Sequence, residues 1–401
     1  MRPQRLPSGI ARLGLPRNVL RSSGADRVTH VELFFDLVFV FALTQLSRYL
    51  FDHRELLGAL EGAILLCAVW WTWVSTTWVT NTLDPAKLPV RVAVIALAFL
   101  ALLMAVATKE SFGDRAWTFA VAYVALQLGR TAFIVWATMR HDRRIAHDFT
   151  CILIWTAAGS ALWIVGALLP LPAQLPLWIA ALGLELVGTV LGFRVPGWGG
   201  VSLERWDLSG AHIAERTSLF VLIAIGEGLL VTGFAFVAKE SSPESVIAMA
   251  CAFVTAAATW WIYFDHGERV GAEAIEESDA PGRLARIVYT WVHLLIVGGI
   301  VMLSVGDKQA LSHPHEHGAV SALTTTTGPF LFLVGTVVFR RLLEGRMPRA
   351  QLAGAVAMAG VWVFGLFASA LTTTVVVTAV LVAVAAGETI ERVRRGRRAG
   401  G

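Results

Sequence analysis

His30-Val-Glu-Leu-Phe-Phe-Asp-Leu-Val-Phe-Val-Phe-Ala-Leu-Thr-Gln45 opens an apolar stretch long enough to cross a bilayer, yet it carries two carboxylates. Glu32 and Asp36 are four residues apart, so a helix stacks them on one face, one turn above the other. A charge in hydrocarbon costs about 2.5–3.5 kcal/mol on insertion scales. Both side chains therefore have to turn inward, and other helices have to receive them. The fold this implies is all-α, a polytopic helical membrane protein with a polar interior.

Composition agrees. The chain has 401 residues, 56% hydrophobic and 15% charged, against about 25% charged for a soluble domain. Mean hydropathy is +0.65. A bilayer-crossing helix needs about 20 mostly apolar residues. Scanning with that ruler predicts about twelve spans: 31–51, 56–79, 89–108, 116–139, 149–169, 175–193, 211–236, 245–264, 285–305, 321–340, 351–368 and 370–388. Only Ala368-Ser369-Ala370 separates the last two, which read either as two crossings or as one long broken helix.

Basic residues test this map independently. Of the 33 Lys and Arg, 25 fall in the segments on the N-terminal side, six on the other, and Arg130 and Arg216 within spans. That asymmetry is the positive-inside pattern for a multi-pass cell-membrane protein with both termini cytoplasmic. Residues 1–29 form an Arg-rich arm without an apolar stretch before Val31, so the first span is expected to act as its own insertion signal. The chain divides into that arm, a first six-helix half over 30–193, a cytoplasmic linker over 194–210, a second half over 211–390 and a basic tail over 391–401.

The two halves echo each other. A shift of 182 residues lays His30 on His212, Leu37 on Leu219, Ala42 on Ala224 and Gln45 on Glu227. Trp70, Trp71, Trp73 and Trp78 close the second span, and Trp260 and Trp261 close the eighth. A six-plus-six parallel internal repeat is the expectation, with an axis along the membrane normal; chance likeness between apolar helices is the alternative.

The remaining intramembrane polar residues are few. His212, Glu215 and Arg216 open the seventh span, and Glu227 lies eleven residues past Arg216, nearly on the same helical face, between Gly226 and Gly228. Arg130 stands mid-span and needs a carboxylate, with Glu185, Glu227 or Asp36 as candidates. Glu61 and His293 complete the set. The plain alternatives are interfacial carboxylates for Glu32 and Asp36, close helix approach for Gly226-Glu227-Gly228, and a packed, hydrogen-bonded ring for His293. Gly58/Gly62 and Gly188/Gly192 read as helix-packing pairs.

Several chemistries are excluded or disfavoured. Cys67, Cys151 and Cys251 sit apart in apolar runs and read as buried thiols. His313, His315 and His317 alternate in an outer loop, where an extended chain points them the same way, but exposed histidines without a metal are the expectation. There is no P-loop, no zinc-protease helix and no nucleophile elbow, and all four lysines lie in loops. No enzymatic activity, cofactor or resident metal is expected.

The run Val31-Glu-Leu-Phe-Phe-Asp-Leu-Val-Phe-Val-Phe-Ala-Leu43 resembles the opening signature of the bacterial low temperature requirement A family. The likeness continues through His212, Glu215 and Arg216, Gly226-Glu227, Trp260-Trp261-Ile-Tyr263-Phe264, and His293 in Tyr-Thr-Trp-Val-His-Leu. It implies a polytopic inner-membrane protein associated with growth in the cold. The charge-rich loop around 268–286 and the histidine run lie outside these motifs.

The expected function is a secondary transporter or channel-like protein for a small ion or solute. Glu32, Asp36, Arg130, His212, Glu215, Arg216, Glu227 and His293 would line or flank its path, with proton coupling through Asp36 or Glu227 as one form. The alternative is a non-transporting sensor or assembly factor whose buried charges lock helix packing. A lipid-modifying enzyme ranks last. The expected partners are the lipid bilayer and that ion or solute, with no nucleic acid; the oligomeric state stays open.

Overall fold

The computed structural model describes residues 19–21, 27–201, 209–238, 240, 242–265 and 281–399, with side chains to 394 in the last helix. Most of the N-terminal arm (1–18 and 22–26), most of the 268–286 loop and part of the 194–210 linker lie outside the described residues.

Twelve long helices emerge among them, each near an expected span. They are α1 His30–Asp52, α2 Leu56–Thr82, α3 Leu88–Thr108, α4 Ala116–Thr138, α5 Arg143–Ala167 and α6 Leu171–Val190. The rest are α7 Gly210–Val237, α8 Pro243–Phe264, α9 Gly282–Ser312, α10 Ala319–Glu344, α11 Arg349–Gly365 and α12 Ala370–Ala399. Eleven are long and apolar enough to cross a membrane. The exception, α11, has 17 residues, about 25 Å of helix.

Local chemistry sets the boundaries. Asp142 accepts hydrogen bonds from the Arg144 and Ile145 amides, at 2.9 and 3.2 Å, and starts α5 six residues before the expected span. Ser209 and Ser242 cap α7 and α8 in the same way. At the end of α10, Gly345 takes φ 68°, a left-handed turn that favours glycine. The junction near Ala368 is a true reversal: Gly354 of α11 faces Val384 of α12, and Gly365 faces Thr373, so the two helices run antiparallel.

Contacts at helix ends sort the molecule into two faces. On one, the starts of α1 and α7 meet the end of α2, and Arg392 of α12 bonds Asp265 just past α8. On the other, Lys109 pairs with Asp52 and Arg54 with Glu316. The bundle is apolar outside as well as inside: Phe34, Leu37, Phe99, Phe234 and Phe253 are each more than half exposed, as lipid-facing side chains are in a membrane bundle. Asp36 and Phe35, between two of them, are fully buried.

The two sets of helices meet where α1 and α2 pack on α7 and α9. The tightest internal seam is α9 on α10. A Cβ on Gly299 would lie 2.5 Å from the Phe332 amide nitrogen, and one on Gly328 would press as closely on that of Leu303. Gly58 and Gly62 do pack an interhelical contact, against His53 and Leu50 of the α1 end. Gly188 packs against Trp155 of α5 and Gly228 against Ser304 of α9, whereas two of the expected glycine contacts are corrected. Gly192 is a turn residue at φ 64°, past the end of α6. Gly226 meets nothing within 4 Å, so no helix approaches there.

One stretch departs from α geometry. Arg286–Val292 is π-helical and merges into the rest of α9. Such turns leave backbone groups for other partners. The Trp70 indole donates to the Thr290 carbonyl at 2.7 Å and Trp78 to its hydroxyl at 3.2 Å.

Candidate functional site

Four of the eight selected side chains converge at the α1–α2–α7 junction. The Glu32/Asp36 pair of α1 meets a His212/Arg216 pair of identical four-residue spacing on α7. Arg216 grips Asp36 with Nη2 to Oδ1 at 2.8 Å and Nε to Oδ2 at 3.3 Å. Its Nη1 reaches Glu32 Oε1 at 3.3 Å and also donates to the Thr80 hydroxyl. The His212 Nε2–H donates to Glu32 Oε1 at 3.0 Å, and the Asn81 amide donates to His212 Nδ1 at 3.1 Å. That assignment leaves the imidazole neutral, with one nitrogen donating and the other accepting.

Every carboxylate oxygen of the pair has a donor. Trp73 donates to Asp36 Oδ1 at 2.7 Å, and the Thr29 amide and hydroxyl donate to Glu32 Oε2 at 2.9 and 2.8 Å. The Arg21 guanidinium lies 3.7 Å from Glu32 and closes the charge balance, two carboxylates against two guanidiniums. The rings of Phe35 and Trp73 flank Arg216 at 5.7 and 5.8 Å. Glu32, Asp36, His212 and Arg216 have no exposed surface. Glu215 joins at the edge, accepting from the Val28 amide at 3.1 Å.

The other selected residues lie elsewhere. Arg130 bonds no carboxylate directly. Its Nη1 donates to Gln127 at 2.5 Å, Gln127 donates to the Tyr123 hydroxyl at 3.1 Å, and Tyr123 donates to Glu185 at 2.6 Å. Glu185 is thus the partner at two removes, while Glu227 and Asp36 are not partners. Glu227 is buried on α7, interacts with Thr44 and Arg48 of α1, and leaves Oε1 without a hydrogen bond. It does not join the Arg216 cluster, although it shares that helix. His293 is buried and used structurally: Nδ1–H donates to the Val288 carbonyl freed by the π turn, and Nε2 accepts from Tyr263, both at 2.9 Å. Glu61 accepts from the Tyr49 hydroxyl.

A cavity of about 90 Å³ lies against Arg130. Its walls come from α2, α4, α5, the end of α6 and the π-helical start of α9. Trp71, Trp78, Phe149 and Trp291 supply aromatic surface, and Arg286 a second cation. Among the described residues no Asp or Glu lines it. Both hydrogen bonds of Arg130 use Nη1, so among the described residues Nε and Nη2 have no protein acceptor. Arg286 is held by one bond to the Thr189 carbonyl at 2.9 Å. Of the eight selected residues, only Arg130 reaches this cavity.

Sequence reasoning missed Thr80, Asn81 and Arg286. It used Trp73 only as part of a tryptophan-rich end. A signal existed for one group: Tyr123, Gln127 and Arg130 recur at four and three residues, a polar stripe down one face of α4. Among the described residues no three His, Cys, Asp or Glu side chains are grouped to hold an ion. His313 instead stacks on Phe51, and Glu316 clasps Arg54 at 2.9 Å. The three cysteines are unpaired, Cys151 buried and the others half-buried.

Comparison with known proteins agrees with the motif reading. An uncharacterized protein of Rhizobium meliloti (strain 1021) is 38% identical over 341 residues, covering 84% of this chain and 83% of the relative. No solved structure matches. The family model described as bacterial low temperature requirement A protein matches residues 27–386, from just before the Glu32/Asp36 signature to near the end of the last crossing. The chain belongs to the bacterial low temperature requirement A family.

Proposed function

We propose that this protein is a secondary transporter for a small organic anion that carries an apolar portion. The observation behind this reading is the cavity of about 90 Å³ beside Arg130. A cavity needs roughly 10–15 Å³ to hold one water, so this one accepts several heavy atoms. Its two guanidiniums have spare donors and no carboxylate neighbour among the described residues, which suits a carboxylate or phosphate. Its tryptophans suit an apolar body. The π-helical wall gives a segment of marginal regularity at the site.

The charged α1–α2–α7 cluster takes a different part from the one expected of it. It is sealed and fully paired, so it serves as a fixed lock between the two sets of helices rather than as the lining of a path. That same observation favours a second reading, in which the protein does not transport and the charges only hold the bundle for a sensing or assembly role in the cold. Neither reading involves catalysis by this chain.

We also propose that α1–α6 and α7–α12 are parallel duplicates over 30–193 and 211–390, with both termini in the cytoplasm and the protein in the cell membrane. Neighbour pairs support this: α1–α2, α1–α3, α3–α4, α4–α5, α5–α6 and α2–α6 each have a counterpart six helices later. The tryptophans do not, since Trp70 and Trp73 are buried while Trp260 and Trp261 are exposed.

The test is binding and flux in the full chain. Purified protein is screened for thermal stabilisation by a panel of mono- and dicarboxylates and phosphate esters, in detergent with and without added anionic phospholipid, then reconstituted for uptake. We expect stabilisation by a soluble anion without lipid, and a roughly 10–100-fold weaker affinity in Arg286→Gln from loss of charged hydrogen bonds. Stabilisation by phospholipid alone, or solute affinities unchanged in Arg286→Gln, would refute solute transport through this cavity.

A further inference from the structure

A second cavity lies between α7, α8 and α9. It measures about 20 Å³, room for a single water or a bare ion. Asp307 of α9 lines it and is, among the described residues, its one charged residue. No guanidinium, ammonium or hydrogen-bond donor pairs with this carboxylate among the described residues. An uncompensated carboxylate inside a spanning helix marks a site by default.

The neighbouring groups fit a cation. Ser304, three residues before Asp307 and one turn along the same face, is 1% exposed, and its hydroxyl has no hydrogen-bond partner. It lines the cavity too. Gly228 stands opposite, where a Cβ would come within 3.5 Å of Ser304 Cβ, so the glycine keeps that wall thin. Thr255 and Thr259 of α8 add hydroxyl oxygens on the third side. Thr259 spends its proton on the Thr255 carbonyl at 2.8 Å, which leaves its oxygen lone pairs facing the helix interface.

We propose that this cavity is a sodium site, with the Asp307 carboxylate and the Ser304 hydroxyl as its principal ligands. All the donors are oxygen, as hard cations require. No imidazole or thiolate lines the cavity, which argues against a transition metal. A single negative charge balances a monovalent ion, and the small volume favours sodium over the larger potassium. As a driving ion for anion transport, sodium at this position rests on the reading given above; as a binding site it does not.

The experiment is thermal unfolding of the full chain in detergent, titrated with NaCl against choline chloride at constant ionic strength and without any organic anion. We expect a saturable rise of roughly 2–4 °C with sodium, absent in Asp307→Asn and in Ser304→Ala. The serine variant covers the case in which the aspartate variant does not fold. An equal rise with choline, or a sodium response that survives both substitutions, overturns the site. Sodium stabilisation without any anion binding would sustain this site and remove the transport reading; the reverse pair of results would do the opposite.

Discussion

Arg216 is buried among two carboxylates, a threonine, an indole and a phenyl ring, and its removal leaves Asp36 without a cation and Glu32 with Arg21 alone. Deleting one partner of a buried pair costs about 3–5 kcal/mol, because the survivor is left desolvated and unpaired. Arg216→Ala is therefore expected to lose most of its folded, monodisperse population in detergent. Replacing the set together, as Glu32→Gln, Asp36→Leu and Arg216→Met, should recover much of that loss, since an apolar core of similar volume often matches a buried ion pair. The readout is thermal unfolding by tryptophan fluorescence. A triple variant as unstable as Arg216→Ala would contradict a purely structural role for the lock. At this scale the sequence was legible where spacing carries the signal. Four-residue separations at 32/36 and 212/216 are visible in the letters, because helix geometry converts four residues into one face. That these two faces meet each other is a tertiary fact, and so is the share taken by Trp73, Thr80 and Asn81 from a third helix.

Among the elements, the α9–α10 seam is the most sensitive to added volume. Gly299 and Gly328 abut backbone atoms rather than flexible side-chain ends, so a methyl group added at either would collide with the facing main chain. Backbone in a packed helix pair cannot give way cheaply. Gly328→Ala is expected to lower the unfolding temperature or abolish expression, whereas Gly226→Ala, with nothing within 4 Å, should be neutral or slightly stabilising through better helix propensity. Parallel melts of the two variants check this, and equal effects would contradict the packing described. The spaced glycines of α2 were readable as a contact because they fall four apart. Those of α9 and α10 were not, because Gly299 and Gly328 lie on different helices and no spacing within one segment reveals a partner. The π-helical turn was equally hidden. It is accompanied by Trp70 and His293 on backbone carbonyls and by Trp78 on the Thr290 hydroxyl, and two of those three come from α2.

At the level of the whole molecule, the two sets of helices are joined by side chains as much as by the linker. Asp36 and Glu32 engage Arg216 and His212, Asn81 bridges to Ser209, and Trp70 reaches Thr290. Chains cut within the 194–210 linker and expressed as two pieces are accordingly expected to copurify, and Arg216→Ala should weaken that association. Copurification is followed by an affinity tag on one piece only. Failure of the wild-type pieces to associate would contradict the interface described.

The letters alone were enough for the solvent, the all-helical build with its run of crossings, and the family. Hydropathy and local signatures are properties of consecutive residues, and the bilayer imposes a length on each helix that a reader can count. They could not say which inward-facing charges would find one another. Eleven residues of helix return Glu227 to nearly the same face as Arg216, yet a rise of about 16 Å along the axis carries it past the cluster to Thr44 and Arg48. Arg130 likewise ends beside a cavity rather than a carboxylate. Partner choice in a membrane bundle depends on depth and on helix neighbours, and both arise only when twelve helices share one volume.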